Sequence, residues 1–392
     1  MRPTGPVARR FPLVARIRPA CLPLDARVGR LSELADTAAH RQDPGLASTV
    51  FNQAALLASD LGLPDYARSL CHRHARLYLS SGPLPAMSAI RGLEPIVNLA
   101  RLHIRAGQHQ RGHQFLLNLY EAVTTATEAT LDGITVPARL TETAQQLGEV
   151  RAWLWRVVIA DGTRALTAAG RWTEALRHIE EHRGFGLRML DGRQVAVLAA
   201  ATADELPGAL VLLQETVPGD PWENAVTAVL TALCRPGDQH AAEAAIDECL
   251  ALHSGEGLAV FATRLSLSAL DAAAPDIPAA RNLFDLLTSR TGASGDGYAL
   301  RDFLAHPGIR SRLEPGRAAS LERALAACAL DSARLPGTIH DRLKEALARA
   351  RTVLEDSPFD PGSPGGDPLE QRTRTASSSV ITPHAASHNS LS

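Results

Sequence analysis

Two stretches of the chain place metal-capable side chains at useful spacing. In His178-Ile179-Glu180-Glu181-His182 the imidazoles stand at i and i+4, one helical turn apart, with a glutamate beside them. Two such imidazoles and a carboxylate can hold a zinc ion that acidifies a bound water, with the neighbouring glutamate as base. Glu256 is the available third ligand. A plainer reading competes and is preferred. Ala175, Leu176 and Ile179 define the buried face of this helix, which leaves His178, Glu181 and His182 on a solvated face. The second stretch is Cys71-His72-Arg73-His74, followed by His103, His109 and His113. His109 and His113 share a face, but no cysteine pair supports them, and Cys71 falls where a small apolar residue is needed. Neither a metal nor a cofactor is therefore expected.

Other chemistry is excluded by what the chain lacks. Of the 40 basic residues only Lys344 is lysine, leaving 39 arginines, and DRLKEALARARTVLE around it reads as an ordinary amphipathic helix. A phosphate-loop lysine or a Schiff base has no other candidate. The glycines of TGASGDGYAL (291–300) follow a helix rather than a strand and read as a linker. Trp153, Trp155, Trp172 and Trp222 read as packing between helices. Leu-Asp-Gly occurs at 131–133 and again at 190–192, each time before an apolar stretch. Asp-Gly favours a turn, so these are either solvent turns that start the next element or loops that cover a ligand site.

The elements that would carry these residues are helical. Apolar residues make up 45% of the chain but aromatics only 4%. A core of Ala, Leu and Val suits close-packed helices better than sheets. Residues 1–30 hold seven arginines against Asp25, or +6, and the formal charge of −2 leaves −8 for the remainder. So acidic a body argues against nucleic acid as its partner. The first 30 residues, interrupted by Arg16 and Arg18, do not form a secretory apolar core and are predicted to be a disordered basic arm. Residues 356–392, rich in Pro, Gly, Ser and Thr, are predicted to be a disordered tail. The five cysteines are odd in number and far apart, which favours a reducing cytoplasm over a disulfide framework. No uncharged apolar run reaches the length of a membrane span.

Between the tails, apolar residues recur at helical spacing. Helices are predicted at 46–61, 64–80, 86–106, 109–127, 149–169, 172–183, 193–203, 207–216, 221–234, 238–253, 257–272, 277–290, 316–331 and 337–355, with a weaker one at 31–41. Short turns between them imply antiparallel hairpins. Placing Gly62, Gly107, Gly170, Gly237 and Pro275 in one column puts Ala67, Gly112, Ala175, Ala242 and Ala280 five residues later, all small. Four residues further stand Cys71, Leu116, Ile179, Ile246 and Phe284, all apolar. The second helix of each hairpin must approach the first closely at its start and fill the gap one turn later.

These residues resemble the tetratricopeptide repeat family. The likeness is clearest in GTRALTAAGRWTEALRHIEEH (162–182), through Leu166, Gly170, Trp172, Ala175, Leu176 and Ile179. Weaker copies lie in ASTVFNQAALLASDLGLPDYARSLCHRHARLYL and PIVNLARLHIRAGQHQRGHQFLLNLY, with Ala55 and Ala100 as the small residues of their first helices. The resemblance covers residues 46–290, at irregular spacing, within a helical-repeat domain of 31–355. It implies an all-α fold of antiparallel hairpins stacked as an α-solenoid, with a groove lined by Asn52, Ser59, Arg101, Arg105, Arg164, Asn224 and Arg235. Arg101, Arg105 and Arg164 come from adjacent hairpins and would take a carboxylate or an acidic peptide. The expected function is that of a non-enzymatic scaffold or regulator that binds a protein or peptide. The alternatives are an accessory biosynthetic protein or a metal-dependent hydrolase using His178 and His182, and a ligand-sensing regulatory domain without its own DNA-binding helices.

Overall fold

The computed structural model describes residues 1–80, 82–253, 255–275 and 277–357. Apart from one short hairpin of strands, the regular structure among these residues is helical. The first helices are α1 (Leu24–Arg41), α2 (Pro44–Asp60), α3 (Pro64–Leu79), α4 (Ala86–Arg105) and α5 (His109–Thr125). Strands β1 (Ala129–Leu131) and β2 (Ile134–Val136) follow, then α6 (Ala144–Val157), which runs through a π-helical turn at Val158–Gly162 into α7 (Thr163–Ala168). Next come α8 (Trp172–Glu181), α9 (Asp191–Thr202), α10 (Leu206–Gln214), α11 (Pro221–Cys234) and α12 (Gln239–Ala251). The rest are α13 (Ala259–Ala272), α14 (Pro278–Ser294), α15 (Gly297–Leu304), α16 (Pro307–Arg310), α17 (Pro315–Ala327) and α18 (Gly337–Asp356). Of the tail predicted at 356–392, residues 358–392 lie outside the described residues.

The turn column works by backbone geometry. Gly62, Gly107, Gly170 and Gly237 adopt φ of +74°, +76°, +74° and +86°, a region costly for any side chain with a Cβ. The small-residue column is buried at all five positions. At Gly112 a Cβ would stand 2.6 Å from Ile104 and 3.0 Å from the Ala100 carbonyl oxygen, so α4 and α5 meet at van der Waals contact there. In the apolar column Cys71, Leu116, Ile179 and Ile246 are buried; Phe284 is only half-buried, because Leu283 takes the core position.

Local signals also fix several helix starts. Asp43 caps α2, its Oδ1 accepting from the backbone N–H groups of Gly45 (2.8 Å) and Leu46 (3.2 Å), with Pro44 at the first helical position. Thr143 and Gln146 form a reciprocal capping box on α6. The weak helix predicted at 31–41 begins at Leu24, since Val28, Leu31, Ala35 and Ala38 form one buried stripe. The linker predicted at 291–300 instead runs from the end of α14 into α15. Asp296 caps α15, and Gly297 is needed because a Cβ there would lie 3.0 Å from the Cys328 sulfur and 3.1 Å from that of Cys21.

The Leu-Asp-Gly stretches differ from one another. At 131–133 the turn joins β1 to β2, with Asp132 and Gly133 at φ of +52° and +77° and Leu131 opposite Ile134. Leu131, Ile134 and Val136 pack into the core, β1 touches α5 and β2 touches α3, and Asp132 is bound by Arg68 and His72. At 190–192 the same letters start α9, with Asp191 and Gly192 buried.

Neighbouring helices pack in sequence through α2, α3, α4 and α5, and α2 also touches α4 as α4 touches α6. The ends meet: α18 lies against α1 and α2, while the backbone N–H groups of Asp331 and Ala333 donate to the carbonyls of Asp60 (2.8 Å) and Leu61 (2.7 Å).

The predicted disordered arm at 1–30 is corrected. Its last residues belong to α1, and the segment before them is docked, with Ala8, Phe11, Leu13 and Cys21 buried. Trp172 Nε1 donates to the Pro3 carbonyl (2.9 Å), Arg10 pairs with Asp271 (2.5 Å) and Arg16 pairs with Asp191 (2.6 Å). The segment shows no long helical periodicity because it folds as turns and one short 3-10 helix at Ala8–Arg10 and is extended only beyond them, and its basic residues meet acids presented by the body.

Candidate functional site

The polar residues of α4 build one site. Glu94, Asn98, Arg101 and Arg105 stand at i, i+4, i+7 and i+11, a single stripe on a helix whose remaining positions are mostly buried. Asn52, Leu56 and Ser59 form the facing stripe of α2. Between them lies a half-open cavity of about 330 Å³, lined also by Val97 and Leu102 of α4 and by Trp153 and Val157 of α6, with Pro19 of the N-terminal segment among its lining residues.

Its polar groups are linked in a directed ladder. Arg101 Nη1 donates to Asn98 Oδ1 (2.9 Å), Asn98 Nδ2 to Asn52 Oδ1 (3.1 Å), and Asn52 Nδ2 to Glu94 Oε2 (2.6 Å). At the other end Arg101 grips Asp161 of the π-helical turn through Nε (3.2 Å) and Nη2 (2.7 Å). Arg105 donates to Ser59 Oγ and to Asp60 Oδ1, both at 2.8 Å. Asp60 is only 4% exposed and also accepts from Arg27 (2.6 Å) and the Tyr298 hydroxyl (2.5 Å). Burial opposes the charge on Arg27 and Arg105, but the Asp60 carboxylate outweighs it and holds both pKa values above the ordinary one. Burial and then Asp60 push the Tyr298 hydroxyl up as well, so it stays a donor.

Of the seven groove residues expected from the sequence, Asn52, Ser59, Arg101 and Arg105 line this one cavity. Arg164 is exposed but does not line it. Its pKa is lowered by desolvation, raised in part by Asp161, and lowered further by Arg18 and Arg264. Asn224 and Arg235 are not brought in. Asn224 Oδ1 accepts from Gly219 N (3.3 Å) at the start of its own helix, and Arg235 lies past the last turn of α11, 3.7 Å from Asp238. The positions chosen on α2 and α4 share one cavity, whereas those on α11 lie toward the two ends of that helix. Glu94, Asn98, Trp153 and Asp161 were missed. The i, i+4, i+7, i+11 polar stripe on α4 is the signal that could have found the first two. Neither Leu-Asp-Gly stretch lines the cavity.

The histidines require a correction. His178 is not on a solvated face but 3% exposed. Its Nε2 donates to the Val158 carbonyl (3.0 Å), made accessible by the π-helical turn, and its Nδ1 lies 3.3 Å from His113 Nε2. His182 packs on His178 with ring centroids 4.4 Å apart, and its Nδ1 lies 2.9 Å from the His178 carbonyl. Burial, and then the neighbouring His178, lower the His113 pKa to about 4, so this ring is neutral near pH 7. Glu256 lies exposed in the turn before α13. Among the described residues no three His, Cys, Asp or Glu side chains are arranged to hold a metal ion, so His178, His182 and Glu256 do not converge.

No protein-family model, curated protein or solved structure matches this chain. What the residues can do must therefore come from the cavity itself. Side-chain amides there offer both donors and acceptors, arginines lie at one end, and most of the wall is apolar. That combination binds and orients. Among the described residues the ladder contains no nucleophile with a base beside it.

His74, in the second metal-capable stretch, is a core residue. It stacks on Phe51 (5.2 Å), meets Tyr78 edge-on (5.8 Å), and neither ring nitrogen has a hydrogen-bond partner among the described residues. Burial lowers its pKa to about 3. A base whose folded pKa is depressed binds its proton more readily when unfolded. Its contribution is therefore complete above about pH 6.5 and is lost as pH falls toward 3, at up to about 1.4 kcal/mol per unit. Urea unfolding between pH 4 and 7 should show this slope, and His74→Phe should flatten it. An unchanged slope would show that His74 is not the residue responsible.

Proposed function

We propose that this protein is a non-enzymatic binding protein, a scaffold or regulator whose helix hairpins stack in the manner of tetratricopeptide repeats. Its inner helices α2, α4 and α6 hold a segment of a partner protein. The observation that carries this reading is the amide ladder Asn98–Asn52–Glu94 on the wall of a cavity of about 330 Å³. Paired side-chain amides match the alternating C=O and N–H groups of a peptide main chain, and the apolar wall around Trp153 suits one of its side chains. Arg101 and Arg105 are tied to Asp161 and Asp60, so they act as an oriented, half-neutralised donor edge rather than as a free cationic cluster. A peptide carboxylate at that edge fits better than a strongly acidic run. The five free, buried thiols favour a cytoplasmic setting, and none of the described helices is long and apolar enough to cross a membrane.

The test uses the full chain against a random peptide array, with hits confirmed by thermal shift. A ligand that binds only the folded state adds about 2.7 kcal/mol of stability at a hundredfold excess over Kd. Asn98→Leu breaks the ladder and Leu56→Trp, at a half-buried lining position, fills the cavity. Peptides whose binding both substitutions abolish, with the unliganded melting temperature nearly unchanged, would support the site. Failure to find any such peptide, or hits indifferent to both changes, would remove it.

A further inference from the structure

The N-terminal segment is held as a bound peptide would be. It forms no ladder with a neighbouring strand. Instead, side chains of the body read its main chain. Gln194, fully buried on α9, accepts from Leu13 N through Oε1 (2.6 Å) and donates to Leu13 O through Nε2 (2.7 Å). This two-point clamp fixes one extended residue by its backbone alone. Trp172 Nε1 donates one bond to the Pro3 carbonyl (2.9 Å), and the Gly257 carbonyl accepts from Arg18 N (3.3 Å).

Side-chain selection is superimposed on the clamp. Phe11 and Leu13, both 4% exposed, enter the apolar cluster formed by helices α7 to α14. Arg10 reaches across to Ser268 (3.3 Å) and Asp271 (2.5 Å) on α13, while Arg16 reaches Asp191 (2.6 Å) at the start of α9. The segment thus lies between α9 and α13 with one ion pair on each side of its apolar anchors. Charge agrees with this placement: residues 1–30 carry +6 and the rest of the chain −8. None of these contacts depends on the covalent link from Pro19 to α1.

We propose that the cleft between α9 and α13 is a peptide-recognition site, filled in this structure by the chain's own residues 3–18. In trans it takes a peptide of the pattern arginine, apolar, proline, apolar, two further residues, arginine, turned up to the first arginine and extended beyond it. The cleft and the α2–α4 cavity are formed by different helices, so this inference stands whether or not the cavity binds anything. Pro19, which follows the segment out of the cleft, borders the cavity.

A fluorescent peptide PTGPVARRFPLVARIRP is the probe, read by anisotropy against the full-length protein. A tethered segment competes at an effective concentration in the millimolar range. Wild type should therefore bind the probe at least about tenfold more weakly than the full-length Phe11→Ala, Leu13→Ala variant, whose own segment is a poor competitor. The same two changes in the probe, or Arg10→Glu with Arg16→Glu in it, should abolish binding, and Asp191→Asn with Asp271→Asn in the protein should weaken it. In a second arm, folded protein carrying a protease site inserted after Pro19 is cleaved and mixed with excess probe. Exchange of the released segment for the probe supports the proposal. It is overturned if the folded variant does not bind the probe, if cleavage is followed by no exchange, or if release of the segment unfolds the body.

Discussion

Replacing Asp60 with alanine should cost the folded protein about 3–5 kcal/mol, the usual effect of removing one partner from a buried ion pair. The carboxylate joins four elements at once: Arg27 of α1, its own helix α2, Arg105 of α4 and Tyr298 of α15. Without it two guanidinium groups, whose charges burial already opposes, face each other across an empty site. Asp60→Asn keeps the shape and loses the charge, so it separates the Coulombic part from packing and should retain most of the loss. Asp60→Leu combined with Arg27→Met removes charge from both sides and should recover part of it. Urea denaturation of the four proteins decides the matter. A loss below about 1 kcal/mol for alanine would mean that water, rather than Asp60, satisfies the arginines.

The second large effect is a reversal of sign between two glycine-to-alanine changes. In an open helix interior this change stabilises by about 0.5–1 kcal/mol. Gly148 on α6 is exposed, with nothing within 4 Å of where its Cβ would be, and should show that gain. Gly112 should show a loss of about 1–3 kcal/mol, since its Cβ would press on Ile104 and on the backbone oxygen of Ala100, which cannot swing away. Ala175→Leu on α8 falls in the same small column and should lose a similar amount. Ala165 on the preceding helix is equally buried, so Ala165→Leu should lose a comparable amount. Two gains of equal size would mean that α4 and α5 are farther apart than the structure places them.

What was legible in the sequence was local. The turn glycines and the small residue five positions on are a contract between two adjacent helices, written within about a dozen residues, and the structure honours it from Gly62 to Gly237. Asn52, Ser59, Arg101 and Arg105 come to one cavity because helical spacing puts them on one face of α2 or α4. What failed was non-local. Phe11 and Leu13 are too few and too irregular to signal burial, and the segment's partners, Gln194 for Leu13 and Asp271 for Arg10, lie far along the chain. His178 seemed to face solvent because the helix wheel of α8 knows nothing of the π-helical turn at Val158–Gly162 that approaches it. Metal-like spacing on one helix is likewise no evidence of convergence: Glu256 belongs to a different part of the fold.

The meeting of α18 with α1 bears on the chain's birth. On α1, Val28, Leu31, Ala35 and Ala38 share a core with Leu343, Ala346, Leu347, Ala350, Val353 and Leu354 of α18. Ribosomes add about 5–20 residues per second, so the stripe on α1 emerges on the order of tens of seconds before the helix that covers it. During that interval α1 and one side of α2 present apolar surface to the cell, and a holdase that grips such stripes has its longest opportunity there. Translation speed over the whole stretch of message between α1 and α18 thus sets how long the nascent chain remains unguarded.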